Sequence, residues 1–131
     1  MKLKIKATDE SLQEVNTFIH SVLPKDSPDI ILNQIDLAVE EIFVNIAHYS
    51  GSQEANINCT MCNDILTIVF SDAGTPFNPL EKPDPDITLS AEEREIGGLG
   101  IFLTKKFMDS VDYEFTNGKN VLTITKKITQ Q

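Results

Sequence analysis

This sequence of 131 residues predicts an α+β fold, a two-layer arrangement whose mixed, mostly antiparallel sheet carries its helices on one face. Three observations lead there. Asn63-Asp64 and Asn117-Gly118-Lys119 are tight-turn signals, each set between two segments of strand character. Apolar residues at helical spacing fill two segments in the first half of the chain. The resulting order, β-α-α-β-β-loop-α-β-β, groups hairpins and helices apart instead of alternating them. The length fits one domain, expected to span 1–131, and no repeat or low-complexity tract divides it.

Each element has its own justification. Residues 2–7 alternate and read as a strand, and Thr8 is placed to cap a helix opening at Asp9-Glu10. Leu12, Val15, Phe18, Ile19 and Val22 carry that helix to Leu23, where Pro24 ends it. A second helix is expected from Asp29 to Tyr49, with Ile31, Ile35, Ala38, Ile42, Ile46 and Tyr49 as its buried stripe and Gly51 as its stop. Ala55–Cys62 and Ile65–Ser71 form the first hairpin. Residues 79–96, rich in Pro, Asp and Glu, are expected to be a surface loop with a short helix near Ser90–Arg94. A third helix opens at Gly97-Gly98-Leu99-Gly100 and runs through Met108. Val111–Thr116 and Asn120–Lys127 close the chain as the second hairpin.

Composition narrows the class of function. A net charge of -9 argues against nucleic acid as a partner, because phosphate contacts need a basic surface. No apolar run approaches the roughly 20 residues of a membrane span. The opening Met1-Lys2-Leu3-Lys4-Ile5-Lys6 has no apolar core of a signal peptide, so a cytoplasmic location is expected. Cys59 and Cys62 fall three apart in a strand and so on opposite faces, and no second pair completes a zinc site.

Three segments carry chemistry. On the second helix, Asn45 lies about 60° and Glu41 about 100° around from Ile42 on the same side, at about 100° per residue. Glu40 points to solvent. Glu41 and Asn45 therefore share one edge of the stripe, where a carboxylate and an amide oxygen suit magnesium, directly or through water, and the carboxylate can also take a proton. In the second segment an apolar strand ends in Asp72-Ala73-Gly74-Thr75-Pro76-Phe77. A carboxylate at a strand end can accept a hydrogen bond from an exocyclic amine, and a glycine two residues on lets the backbone approach a flat ring. The third is Gly97-Gly98-Leu99-Gly100 at a helix start, where exposed N–H groups and the helix dipole favour phosphate. It follows neither the P-loop pattern nor the strand-GxGxxG-helix pattern of dinucleotide folds.

In this order and spacing the three segments resemble the N, G1 and G2 boxes of the GHKL (Bergerat) ATPase family. Glu41-x-x-x-Asn45 looks like the N box, Asp72-x-Gly74-x-Pro76-Phe77 like G1, and Gly98-x-Gly100 preceded by Gly97 like G2. The resemblance covers nearly the whole chain and implies a histidine-kinase-like ATPase fold that binds ATP or ADP with Mg²⁺. It implies that Asn45 holds the metal, that Glu41 is the general base, and that Asp72 binds the adenine amino group above Gly74. It also implies that Gly97, Gly98 and Gly100 meet the phosphates and that residues 79–96 are the ATP lid. Thr123, in the last strand, is the candidate for holding adenine through water. His48 stands at the cleft edge, and Lys105 and Lys106 on the third helix are expected in solvent.

At this length neither a transducer domain nor a dimerisation helix with a phosphoacceptor histidine is expected. The chain is similar to the RsbW-type anti-sigma-factor serine/threonine kinases. That resemblance implies a homodimer that phosphorylates a small antagonist protein of STAS type and can bind a sigma factor. The rival reading is a nucleotide-gated module that sequesters a partner without transferring phosphate.

Overall fold

The computed structural model describes residues 1–81 and 98–128. The strands are β1 (Lys2–Lys6), β2 (Glu54–Cys62), β3 (Ile65–Asp72), β4 (Ser110–Thr116) and β5 (Lys119–Lys127). They form one sheet in the order β1-β2-β3-β5-β4, and every pairing is antiparallel. Both hairpins close through two residues of positive φ: Asn63 (51°) and Asp64 (66°), then Asn117 (54°) and Gly118 (75°). That geometry matches strand twist and is why Asn, Asp and Gly occupy these positions.

Among the described residues three helices pack on one face: α1 (Leu12–Val22), α2 (Asp29–Asn45) and α3 (Gly98–Phe107). Alternation decides which strand residues meet them. Leu66, Ile68 and Phe70 of β3 and Leu122 and Ile124 of β5 point inward against Ile35, Ile42 and Phe43 of α2. His20 Nε2, 2.6 Å from Asp36 Oδ1, ties α1 to α2. Among the described residues no helix is long and apolar enough to cross a membrane. The expected short helix near Ser90–Arg94 lies outside the described residues.

Two expectations need correction. Thr8 makes no side-chain cap to a helix; a 3₁₀ turn at Asp9–Ser11 precedes α1, and the Thr8 hydroxyl meets that of Ser11 at 3.2 Å. Tyr49 is 51% exposed, not part of the buried stripe, whereas Val39 and Phe43 are fully buried. The cause is local. After Asn45 the helix widens into a π turn at Ile46–Ser50, which changes the angular advance per residue and rotates Tyr49 outward while burying Ser50. Gly51, at φ 75°, stops the helix as expected.

The two cysteines face opposite ways, Cys59 into the core and Cys62 to solvent. Burial pushes the Cys59 thiol up to about 11, against a small opposing pull from the N-terminal ammonium. In the unfolded chain the same thiol ionises near 9, so between these values the unfolded state holds fewer protons and stability falls as pH rises. Urea denaturation at pH 8.5 and 10.5 is expected to show this loss, and Cys59→Ala to remove this component of it.

Candidate functional site

A pocket of about 320 Å³, counting its open mouth, lies between α2, the end of β3 and β5. Its walls are apolar, from Ile42, Ile46, Phe70 and Leu122, with the polar groups of Asn45 and Asp72 facing in among them. An apolar cleft with a few convergent polar groups is the usual form of a small-molecule site.

Asp72 ends β3 and is 2% exposed. Its Oδ1 accepts from the Gly74 N–H at 2.9 Å and from Asn120 Nδ2 at 3.1 Å. Asn120 also donates to the Thr75 carbonyl at 2.9 Å. Its own Oδ1 accepts from the Phe77 N–H at 2.9 Å and from the Tyr113 hydroxyl. Burial raises the Tyr113 phenol above its usual value, which keeps it protonated as a donor. Two donors on one side and two acceptors on the other fix the Asn120 amide in a single orientation. Among the described residues no donor takes Asp72 Oδ2.

Gly74 is needed for close approach. A Cβ there would collide with the Ser50 carbonyl, and the Thr75 N–H donates to that same oxygen at 2.7 Å. The π turn that ends α2 thus clamps the loop after β3. Phe77 stacks on Tyr49 with ring centroids 5.3 Å apart and also lines the pocket.

Glu41 and Asn45 share an edge of α2, and Asn45 Nδ2 lies 3.4 Å from Glu41 Oε1. Asn45 is 5% exposed and Glu40 points to solvent. The Glu41 carboxylate lies so close to Gly100, in the first turn of α3, that any Cβ at position 100 would strike it. The Gly100 carbonyl accepts from the buried Thr104 hydroxyl at 2.8 Å. Gly98 is the first residue of α3, and Gly97 lies outside the described residues. Glu41, Asn45, Gly100, Asp72 and Gly74 are thereby gathered around one end of α2.

Thr123 does not join them. Its Cα partner in β3 is Val69, whose side chain points away from the helices, so Thr123 sits on the opposite face of the sheet from Asp72. Asn120, three residues earlier and the Cα partner of Asp72, occupies the inward position. The sequence reading missed Asn120 and Tyr113. The hairpin turn shows which residues of β4 and β5 oppose each other, but no local signal shows that β5 lies beside β3. His48 is engaged elsewhere, with Nε2 2.9 Å from both carboxylate oxygens of Asp9. Lys105 and Lys106 are exposed, and the Lys106 ammonium lies 5.1 Å from the centre of the Phe102 ring.

Comparison with known proteins places the chain in a family. The histidine kinase-like ATPase domain family matches residues 5–126. An anti-sigma F factor of Clostridium perfringens (strain SM101 / Type A) is 27% identical over 132 residues, covering 97% of this chain and 94% of its own. The serine-protein kinase RsbW of Listeria monocytogenes serovar 1/2a is 30% identical over 108 residues, 76% of this chain and 68% of its own. The solved structure of the RsbU and RsbW domains of Rv1364c from Mycobacterium tuberculosis superimposes on all of this chain with a TM-score of 0.64 at 12% identity. This chain spans 33% of that one. The Acinetobacter baumannii histidine kinase AdeS gives a TM-score of 0.58 at 11% identity, over 99% of this chain and 68% of its own. At these identities the two structures speak for the fold alone. With the family match running across nearly the whole sequence, this chain belongs to the histidine kinase-like ATPase domain family, as a relative of the anti-sigma F factors and the serine-protein kinase RsbW.

Proposed function

We propose that this chain is an ATP- and Mg²⁺-dependent protein serine/threonine kinase, acting in the cytoplasm as a homodimeric anti-sigma, partner-switching regulator. Its substrate is a serine or threonine hydroxyl on a small antagonist protein of STAS type, and its second partner is a sigma factor. The observation that supports this best is the meeting of Glu41 and Asn45 with the first turn of α3 at Gly100, beside a pocket with Asp72 at its base. The names of the relatives in Clostridium and Listeria support the regulatory part.

The residues divide the work by chemistry. Asp72 Oδ2 accepts from the adenine amino group, while Oδ1 is already held by Gly74 and Asn120. Ile42, Ile46 and Leu122 supply apolar contact for the base. Gly98 and Gly100 offer backbone N–H groups and the positive end of the α3 dipole to the phosphates, and the resemblance adds Gly97 to them. With the Asn45 amide nitrogen engaged by Glu41, its carbonyl oxygen is the atom for the metal. One neutral oxygen would suit magnesium, which binds proteins through few side chains. When bound, magnesium neutralises phosphate charge. Glu41 takes the proton from the attacking hydroxyl, and the γ-phosphoryl group passes to that oxygen as ADP leaves.

The test is incubation with γ-labelled ATP and Mg²⁺ against STAS-type antagonist proteins from the source genome, alongside calorimetric titration with ADP. Label on a serine or threonine is the expected result. ADP binding with no transfer, together with capture of a sigma factor, would favour the sequestering module instead.

A further inference from the structure

At the Asp72 end of the pocket, Asn120 has no hydrogen-bonding capacity left for a ligand. An amide side chain offers two N–H donors and an oxygen with two lone pairs. In Asn120 the donors go to Asp72 Oδ1 at 3.1 Å and to the Thr75 carbonyl at 2.9 Å. The oxygen accepts from the Phe77 N–H at 2.9 Å and from the Tyr113 hydroxyl. All four places are filled by the protein itself, and the residue is 5% exposed. Asn120 lines the pocket, yet its polar atoms are engaged before any base arrives.

We infer that Asn120 is a positioning residue for nucleotide recognition: held by Tyr113, it turns the Asp72 carboxylate so that Oδ2 alone faces the pocket, and it fixes the loop at residues 75–77 that walls the base. The terminal torsion of an aspartate is broad, so the carboxylate needs an outside reference to hold one angle. The Gly74 N–H that also meets Oδ1 belongs to the loop itself and moves with it. Among the described residues Asn120 is the one donor to Asp72 from another element. It is the Cα partner of Asp72 across β3 and β5, so the reference is the sheet. The same amide grips the loop at Thr75 and Phe77, while the Ser50 carbonyl holds the Thr75 N–H from the α2 side. Burial, and after it the nearby charges of Asp72 and Glu81 against an opposing hydrogen bond at Phe77, raises the Tyr113 phenol above its usual value. Tyr113 therefore stays a donor and keeps the amide from flipping.

The role rests on the adenine-nucleotide reading of the pocket. Asn120→Asp tests it, because the shape is kept and both donors are lost. One oxygen still accepts from Phe77 and Tyr113. The other meets Asp72 Oδ1 and the Thr75 carbonyl, acceptor against acceptor. Two carboxylates about 3 Å apart share one proton, and one of their titrations lies well above the usual carboxylate range. With that proton the pair regains a donor toward Asp72; without it, repulsion turns Asp72 out of line. Calorimetric titration with ADP and Mg²⁺ is expected to show affinity lower than the parent's on the order of 100-fold at about pH 8, with much of the loss recovered at about pH 6. Among the described residues the other titratable groups facing this corner are Tyr113 and Glu81, with Glu41 of α2 toward the other end. Parent and variant share them, so the ratio of affinities at each pH isolates position 120.

GDP presents a carbonyl where ADP presents the amine, so its binding should change little and the preference for ADP should shrink. A general defect of the fold lowers both alike, and thermal unfolding reports it separately. Tyr113→Phe leaves the Phe77 N–H on the Asn120 oxygen and is expected to weaken ADP binding about 3–10-fold, with no new dependence on pH. It carries the test if Asn120→Asp does not fold. A folded Asn120→Asp protein that binds ADP like the parent, or equally weakly at both pH values, would overturn the inference, as would a Tyr113→Phe protein of unchanged affinity. A parent that binds no adenine nucleotide would overturn the proposed function along with it.

Discussion

Asp72→Asn is expected to abolish measurable ADP binding while leaving the fold intact. The substitution keeps shape, and the new amide oxygen can still accept from the Gly74 N–H and Asn120 Nδ2, which now meet Oδ1. The amide nitrogen must then take the place of Oδ2. A donor faces the donor amine of adenine, so a favourable charged hydrogen bond becomes a repulsive contact. A hydrogen bond to a charged group contributes about 1.5–3 kcal/mol, and an unpaired buried donor costs a similar amount again. Together these correspond to a rise in Kd on the order of 100-fold or more. The same change presents a donor to the carbonyl of guanine, so preference for adenine over guanine nucleotides should shrink. Titration with ADP and GDP, beside thermal unfolding, separates the effects. Asp72→Ala should also lose nucleotide, but it leaves the Gly74 N–H without its acceptor and so disturbs the loop as well. An Asp72→Asn protein that binds ADP like the parent would remove Asp72 from the adenine site.

Glu41→Ala should show the opposite division, with phosphate transfer lost and ADP binding kept within a few-fold. A general base contributes about 10²–10⁴ to rate, and single-turnover transfer to the antagonist protein measures that loss. Binding is spared because Glu41 stands beside Asn45 and Gly100, away from the Asp72 end of the pocket. Glu41→Gln is the control for position. It keeps an oxygen for the Asn45 amide but cannot take a proton, so it should lose transfer as fully as alanine does. Full transfer by either variant would end the assigned role.

The regular elements are legible in the sequence because their signals are local. Alternation in residues 2–7, the helical spacing from Ile31 to Ile42 and the two-residue turn at Asn63-Asp64 each depend on neighbours within a few positions. The pairing of Glu41 with Asn45 is legible for the same reason, since four residues on a helix fix a shared edge. The motif after β3 can be seen, but not its support. The Ser50 carbonyl that requires a glycine at 74 reaches it only through the π turn, which alternation and helical period do not reveal.

Contacts between distant segments decided the rest. Asn120 meets Asp72 across 48 positions, and their register is set by how β5 docks beside β3. An odd step in that register reverses the face a side chain takes, which is why Asn120 lies on the Asp72 side of the sheet and Thr123 on the far side. The nearness of Glu41 to Gly100 depends likewise on α3 packing against α2. Periodicity along the chain specifies which side of each element is apolar; which elements then lie together, and at what offset, follows from filling one core with all of them at once.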